Sequence, residues 1–323
     1  MFMFSISLLS MSTLMSVSAN TMFMMWMGLE INLISMITIL LLKKSNSHKK
    51  SALIYFMVQT ISSTMLIMLI ILNNILMTQQ TTLLINLMTV PMLMKLAAAP
   101  FHFWFPTMIQ KISWTTTFLL MTWQKLAPLI ILFSISSPLT LIFALISILI
   151  GGVGGINQLE FKKMLAYSSI NHNGWMIASS SMSQLLMEMY FLIYSLMTLT
   201  LILSFSTTHL SSLKQTWKST LPTILKTNIL VNMMSMGGLP PLTGFFPKLM
   251  VLKEMIQMNL AAEALMFLLI SILTLYFYLS TMINMMITTS SSPKFSSINA
   301  SPTYMIIMSN LSINFLPLMM MLN

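Results

Sequence analysis

Apolar residues run along this chain in stretches of about twenty, separated by short polar clusters. A helix needs about that many mainly apolar residues to cross the hydrocarbon of a bilayer. Eleven stretches reach this length, at roughly 1–20, 21–42, 51–72, 82–104, 113–133, 138–158, 164–183, 186–206, 222–258, 263–286 and 303–322. The ninth is too long for one simple helix and contains Gly237-Gly238-Leu239-Pro240-Pro241, so a broken helix is expected there. The pattern predicts an all-α polytopic membrane protein, a single membrane domain over 1–323.

Composition agrees with the pattern. The 323 residues are 57% hydrophobic and only 6% charged, where a soluble domain averages about 25% charged. Cys, Arg and Asp are absent, and the charges are 15 Lys and 5 Glu. Without Cys there is neither a disulfide nor a thiolate metal site. The 39 Met have two readings: soft, adaptable surfaces, or the codon usage of an AT-rich mitochondrial genome that reads AUA as Met. A net charge of +10 does not imply nucleic acid here, because no basic run is interleaved with aromatics in a soluble segment.

The lysines follow the spans instead. Lys43, Lys44, Lys49 and Lys50 follow span 2, Lys111 follows span 4, and Lys162 and Lys163 follow span 6. Lys214 and Lys218 follow span 8, Lys226 starts span 9 and Lys294 follows span 10. If eleven spans alternate, all of these share one side, which the positive-inside rule makes the inner one. Lys253, at the end of span 9, is ambiguous. The N-terminus then lies on the positive side and the C-terminus opposite. Val17-Ser18-Ala19 looks like a signal cleavage site, but residues 1–20 carry no positive n-region, so retention of span 1 is expected.

Four charges fall inside spans: Glu30, Lys95, Lys125 and Lys248. A charge at mid-membrane costs about 2.5–3.5 kcal/mol on insertion scales, so such residues point to an ion or proton path. Lys95 precedes Ala97-Ala98-Ala99-Pro100, Lys125 precedes Leu126-Ala127-Pro128, and Lys248 follows Pro247. Pro100 has no N–H for the carbonyl of Leu96, and a helix defect can admit water or polar groups. The alanines are expected to let a neighbouring helix approach closely. The alternative for Lys95 is a side chain snorkelling to the interface.

Spans 4 and 9, five apart, each join a Lys to a broken helix, which suggests an inverted five-helix repeat. Glu30 is expected to pair with Lys95, since a carboxylate approaching or leaving a buried ammonium changes its hold on a proton. His172 and His102, near the positive-side ends of spans 7 and 4, are candidates for proton relays or for structural hydrogen bonds.

Gly28-Leu-Glu30-Ile-Asn-Leu, Lys95 with Ala99-Pro-Phe-His-Phe-Trp104, Trp123-Gln-Lys-Leu-Ala-Pro128, Ala166-Tyr-Ser-Ser-Ile-Asn-His172, and Gly237-Gly-Leu-Pro-Pro-Leu-Thr-Gly244 with Pro247-Lys248 occur in this order. On these motifs the chain resembles the NADH dehydrogenase subunit 2 family of mitochondrial respiratory complex I. The last 70 or so residues match only as hydrophobic spans. The resemblance implies an antiporter-like fold with two inverted five-helix bundles; the broken-helix bundles are expected at approximately 21–133 and 138–286, then a matrix loop and final helix over 287–323. It implies that Glu30, Lys95, Lys125 and Lys248 carry protons while the complex oxidises NADH and reduces ubiquinone. FMN and iron–sulfur clusters would lie elsewhere in the complex, with no cofactor in this chain. Implied partners are neighbouring antiporter-like and small membrane subunits and phospholipids such as cardiolipin, in the mitochondrial inner membrane. The total lack of Arg departs from the family pattern.

Three other functions fit parts of the sequence. A stand-alone cation/proton antiporter would use the same charges. A b-type cytochrome would need paired His on facing helices, and only His102 and His172 lie in spans, so no haem band is expected. A structural spacer would point its lysines at lipid.

Overall fold

The computed structural model describes residues 2–43, 45–76, 81–135, 137–213, 215 and 223–287. Within them the regular structure is helical, apart from one isolated antiparallel bridge between Glu160 and Ser212. The eleventh span (303–322), the loop with Lys294, and Lys44, Lys214 and Lys218 lie outside the described residues.

Each earlier predicted span coincides with a helix or a broken pair. Span 1 is α1 (Phe2–Val17), span 2 is α2 (Met22–Leu41) and span 3 is α3 (Asn46–Leu76). Span 4 divides into α4 (Thr81–Leu96) and the short α5 (Trp104–Ile109). Span 5 is α6 (Trp114–Met121) followed by α7 (Trp123–Ile135), interrupted at Thr122. Spans 6, 7 and 8 are α8 (Leu139–Gly155), α9 (Phe161–Ser180) and α10 (Gln184–Thr208). Span 9 divides into α11 (Thr223–Gly237) and α12 (Phe245–Gln257), and span 10 is α13 (Ala261–Ile287).

Among the described residues, 5 helices are long and apolar enough to cross a membrane, counting α6 and α7 as one, while α1, α4 and α8 are apolar but shorter. The exception is α9, which matches α2 in length yet carries Ser168, Ser169, Asn171, His172 and Asn173. All five are buried. A polar helix is stable at membrane depth only when protein covers it, because lipid offers no hydrogen bonds. The outer surface shows the complementary composition: Phe4, Met11, Leu53, Met57, Leu265 and Ile272 are exposed.

The helices form two compact units. One takes the chain up to Ser147 together with Met176–Gln184; the other takes Ile148–Trp175 and the described residues from Leu185 onward. In the first unit α1 packs on α2, α2 on α3, α3 on α4, and α4 on α7. The α1–α2 contact is close because Gly28 has no side chain: a Cβ there would meet the backbone nitrogen of Ser16 at 2.8 Å. In the second unit α13 packs against α11 and α12.

Both breaks were expected, but the first starts earlier than the proline alone implies. α4 ends at Leu96, and Ala97 turns into the left-handed region (φ 56). Ala98 N–H donates to Leu93 O at 2.9 Å and Ala97 N–H to Met94 O at 3.2 Å, the paired bonds of a Schellman cap. Ala97, Ala98 and Ala99 therefore do not form a helix face for close packing; they are the unwound segment, fully buried. α11 ends in the same way. Gly238 (φ 84) donates to Ser235 O at 3.1 Å and Leu239 to Met234 O at 3.4 Å.

The match extends along the chain. Ala97 and Gly238 are 141 residues apart, as are Pro100 and Pro241, Trp104 and Phe245 at the helix restarts, and Pro106 and Pro247.

Candidate functional site

In the first unit, helix ends carry the lysines. Lys95 is in the last turn of α4, where the unpaired carbonyls make the helix end negative. An ammonium in such a place gains about 0.3–1 kcal/mol, and up to about 2 when partly buried. This offsets part of the burial cost, and Lys95 is only 7% exposed. Gln59, on α3, donates Nε2 to the carbonyl of Lys95 at 3.4 Å, satisfying one of the freed backbone groups.

Lys125 stands in the first turn of α7, just past the interruption at Thr122, and is 2% exposed. Thr122 Oγ1 donates back to Phe118 O at 2.8 Å, and Lys125 N–H donates to Thr122 O at 3.0 Å. Pro128 lies inside α7 and has no N–H for the carbonyl of Gln124, so the helix is opened there too.

Lys95 and Lys125 line one cavity with about 20 Å³ of room for water centres. A water needs roughly 10–15 Å³ on that measure and several polar partners. The polar partners are present: Tyr55, Gln59, Asn32 and Gln124 share the wall with Leu29, Leu33 and Trp104. Tyr55 donates its hydroxyl to Gln124 Oε1 at 3.1 Å, and Gln124 Nε2 donates to Asn32 Oδ1 at 3.0 Å. Three helices are thereby joined through buried polar atoms.

Glu30, on α2, is half-buried and acts electrostatically on Lys95. The expected partnership is present as this electrostatic influence rather than as a close ion pair. An ion pair joins Lys163 and Glu160, at 4.0 Å. His102 is buried in the first break, where Nδ1 lies 3.2 Å from Pro100 O.

In the second unit, Lys248 starts α12 beyond the break, yet its side chain returns to the preceding half-helix. Nζ donates to Gly237 O at 2.9 Å, so this ammonium too meets the negative end of a helix. It also lies 5.9 Å from the ring centroid of Trp175, within cation–π range. Gly238 is required twice over. Its backbone is left-handed, and a Cβ there would come within 2.8 Å of Lys248 Nζ.

His172 is fully buried, with Nδ1 2.9 Å from the hydroxyl of Tyr190 and its ring 5.1 Å from that of Tyr194. The structure also buries Lys226 on α11. Of the residues singled out in the sequence, Lys95 and Lys125 share a cavity, with Glu30 nearby in the same unit. Lys248 and His172 belong to the other unit.

Sequence reasoning missed Tyr55, Gln59 and Gln124. A signal was available, since each interrupts an apolar stretch with a hydrogen-bonding group, which is costly in a membrane unless satisfied.

Buried ammonium groups at the ends of broken membrane helices define an ion-handling polytopic membrane protein. The model of the family described as "NADH:quinone oxidoreductase/Mrp antiporter, TM" matches residues 19–274, and the chain belongs to this family. It is similar to NADH-ubiquinone oxidoreductase chain 2 of Dasypus novemcinctus, 42% identical over 254 residues, covering 73% of this chain and 72% of the relative. It is 35% identical over 274 residues to the protein of the same name from Anopheles gambiae, covering 83% and 80%. The fold is also that of a chain in respiratory complex I from Thermus thermophilus, with a TM-score of 0.82 at 21% identity, covering 98% of this chain and 78% of that one.

Proposed function

We propose that the chain is a core membrane-arm subunit of the H+-translocating NADH:ubiquinone oxidoreductase of the mitochondrial inner membrane. Electron transfer elsewhere in the complex drives protons past its buried charged residues. The family and the names of its relatives support this reading over a stand-alone cation/proton antiporter. The carrying observation is the cavity shared by Lys95 and Lys125, with room for water between groups that bind protons.

In this reading Glu30, Lys95, Lys125 and Lys248 are the stations of the path, with His172 and His102 as relays. Helix breaks supply the carbonyls and the hydration that make an ammonium tolerable at membrane depth. The subunit brings no thiolate and takes part in the redox reaction only through its neighbours. FMN, the iron–sulfur clusters, NADH and ubiquinone are handled by other parts of the complex.

The breaks at Ala97 and Gly238, with their constant spacing, support an inverted five-helix repeat whose broken-helix bundles lie at approximately 21–133 and 138–286. The odd number of helices in the repeat supplies the inversion. The lysine-bearing ends of the helices support a matrix N-terminus, with the C-terminus in the intermembrane space. Exposed apolar faces on α1, α3 and α13 are available to neighbouring subunits and to phospholipids such as cardiolipin.

The test is Lys125→Met in the whole complex. Protons translocated per NADH should fall while the complex still assembles. An unchanged proton-to-NADH ratio would remove this chain from the path.

A further inference from the structure

Two amides and a phenol at the Lys95–Lys125 cavity form a chain with one direction. Tyr55 donates its single proton to Gln124, and Gln124 donates to Asn32. A phenolic oxygen that has committed its proton can only accept from any other neighbour. Ammonium groups can only donate, and Lys95 and Lys125 line the same cavity. The cavity therefore holds two donor heads and one oxygen directed to receive.

The amides make this direction persistent. Gln124 Nε2 is committed to Asn32 Oδ1, which leaves Oε1 facing Tyr55, and neither amide gains or loses a proton in the physiological range. The Tyr55 ring is further held by Trp104, with centroids 6.1 Å apart.

We infer that Tyr55 is a positioning residue of the proton path, its hydroxyl aimed by Gln124 and Asn32 to accept a hydrogen bond from a lysine or from water passing between Lys95 and Lys125. The inference rests on the function proposed above. It adds a fixed acceptor to a path made otherwise of titrating groups.

Tyr55→Phe keeps the ring and removes the acceptor. In membrane vesicles holding the whole oxidoreductase, the share of pumping carried by this chain should fall about tenfold, as expected for losing a hydrogen bond to a charged group. Protons per NADH then drop below the wild-type value, while the amount of complex and its uncoupled NADH oxidation stay near normal. A purely structural tie between helices would lower the amount of complex and leave the ratio alone.

If Tyr55→Phe fails to assemble, Gln124→Met serves instead. It leaves the hydroxyl in place but undirected, and a lowered ratio supports the inference. An unchanged ratio in the assembled variant overturns it. Measured beside Lys125→Met, the outcomes separate: loss in Lys125→Met alone removes Tyr55 from the path, whereas loss in neither removes the path itself.

Discussion

The two breaks share a backbone and differ in what fastens them. In the first unit Ala97 takes the left-handed turn, and Gln59, a neutral amide from another helix, holds the end of the half-helix at the Lys95 carbonyl. In the second unit Gly238 takes the turn, and Lys248 holds the Gly237 carbonyl with a charge. Lys95 precedes its break and Lys248 follows its own, so the lysines do not occupy matching places in the repeat. Geometry has been kept while the fastening group has changed. The first fastening, a neutral amide, is independent of proton load; the second is an ammonium and holds its carbonyl with a group that can itself titrate. A path needs both kinds, a rigid frame for the cavity and a group whose bond changes when its proton leaves.

Three substitutions probe this contrast by thermal unfolding of the solubilised complex. Gly238→Val should have the largest effect. A left-handed conformation costs a side chain about 1–2 kcal/mol, and the new carbon would also displace the Lys248 ammonium. A neutral result would mean that the second break is not fastened as described. Ala97→Gly should act in the opposite direction, gaining up to about 1 kcal/mol because the residue already holds a glycine conformation. A loss of stability would show that the methyl group packs more usefully than its backbone strains. Gln59→Leu should be the mildest change, costing about 0.5 kcal/mol through the single, long bond to Lys95 O. If it cost as much as Gly238→Val, the first unit would depend on its fastening no less than the second.

Much of this was legible in the sequence because the bilayer imposes a fixed length on its helices. The spans up to 286, the broken helices and the buried Lys95, Lys125 and Lys248 follow from apolar run length, proline chemistry and the cost of charge. Packing detail was not legible. Glu30 was expected to partner Lys95, and it does act on it electrostatically; how closely two such groups approach depends on the rotation and depth of their helices, which hydropathy does not encode. Ala97–Ala99 read as a smooth helix face because alanine is the strongest helix former, and three-dimensional context overrode that preference. Tyr55 and Gln59 share one face of α3, but their partners Gln124 and Lys95 lie 69 and 36 residues further along the chain and are met only once the helices have packed.

The polar helix α9, covered over its C-terminal half, has a consequence for biogenesis. Such a segment partitions poorly into lipid by itself, since each uncovered amide or imidazole there lacks a partner. It has to enter the bilayer in the company of its more oily neighbours α8 and α10, as a group and not as a lone hairpin arm. Mutations that weaken those neighbours would therefore act first during synthesis, leaving α9 stranded at the insertion machinery before any proton has moved.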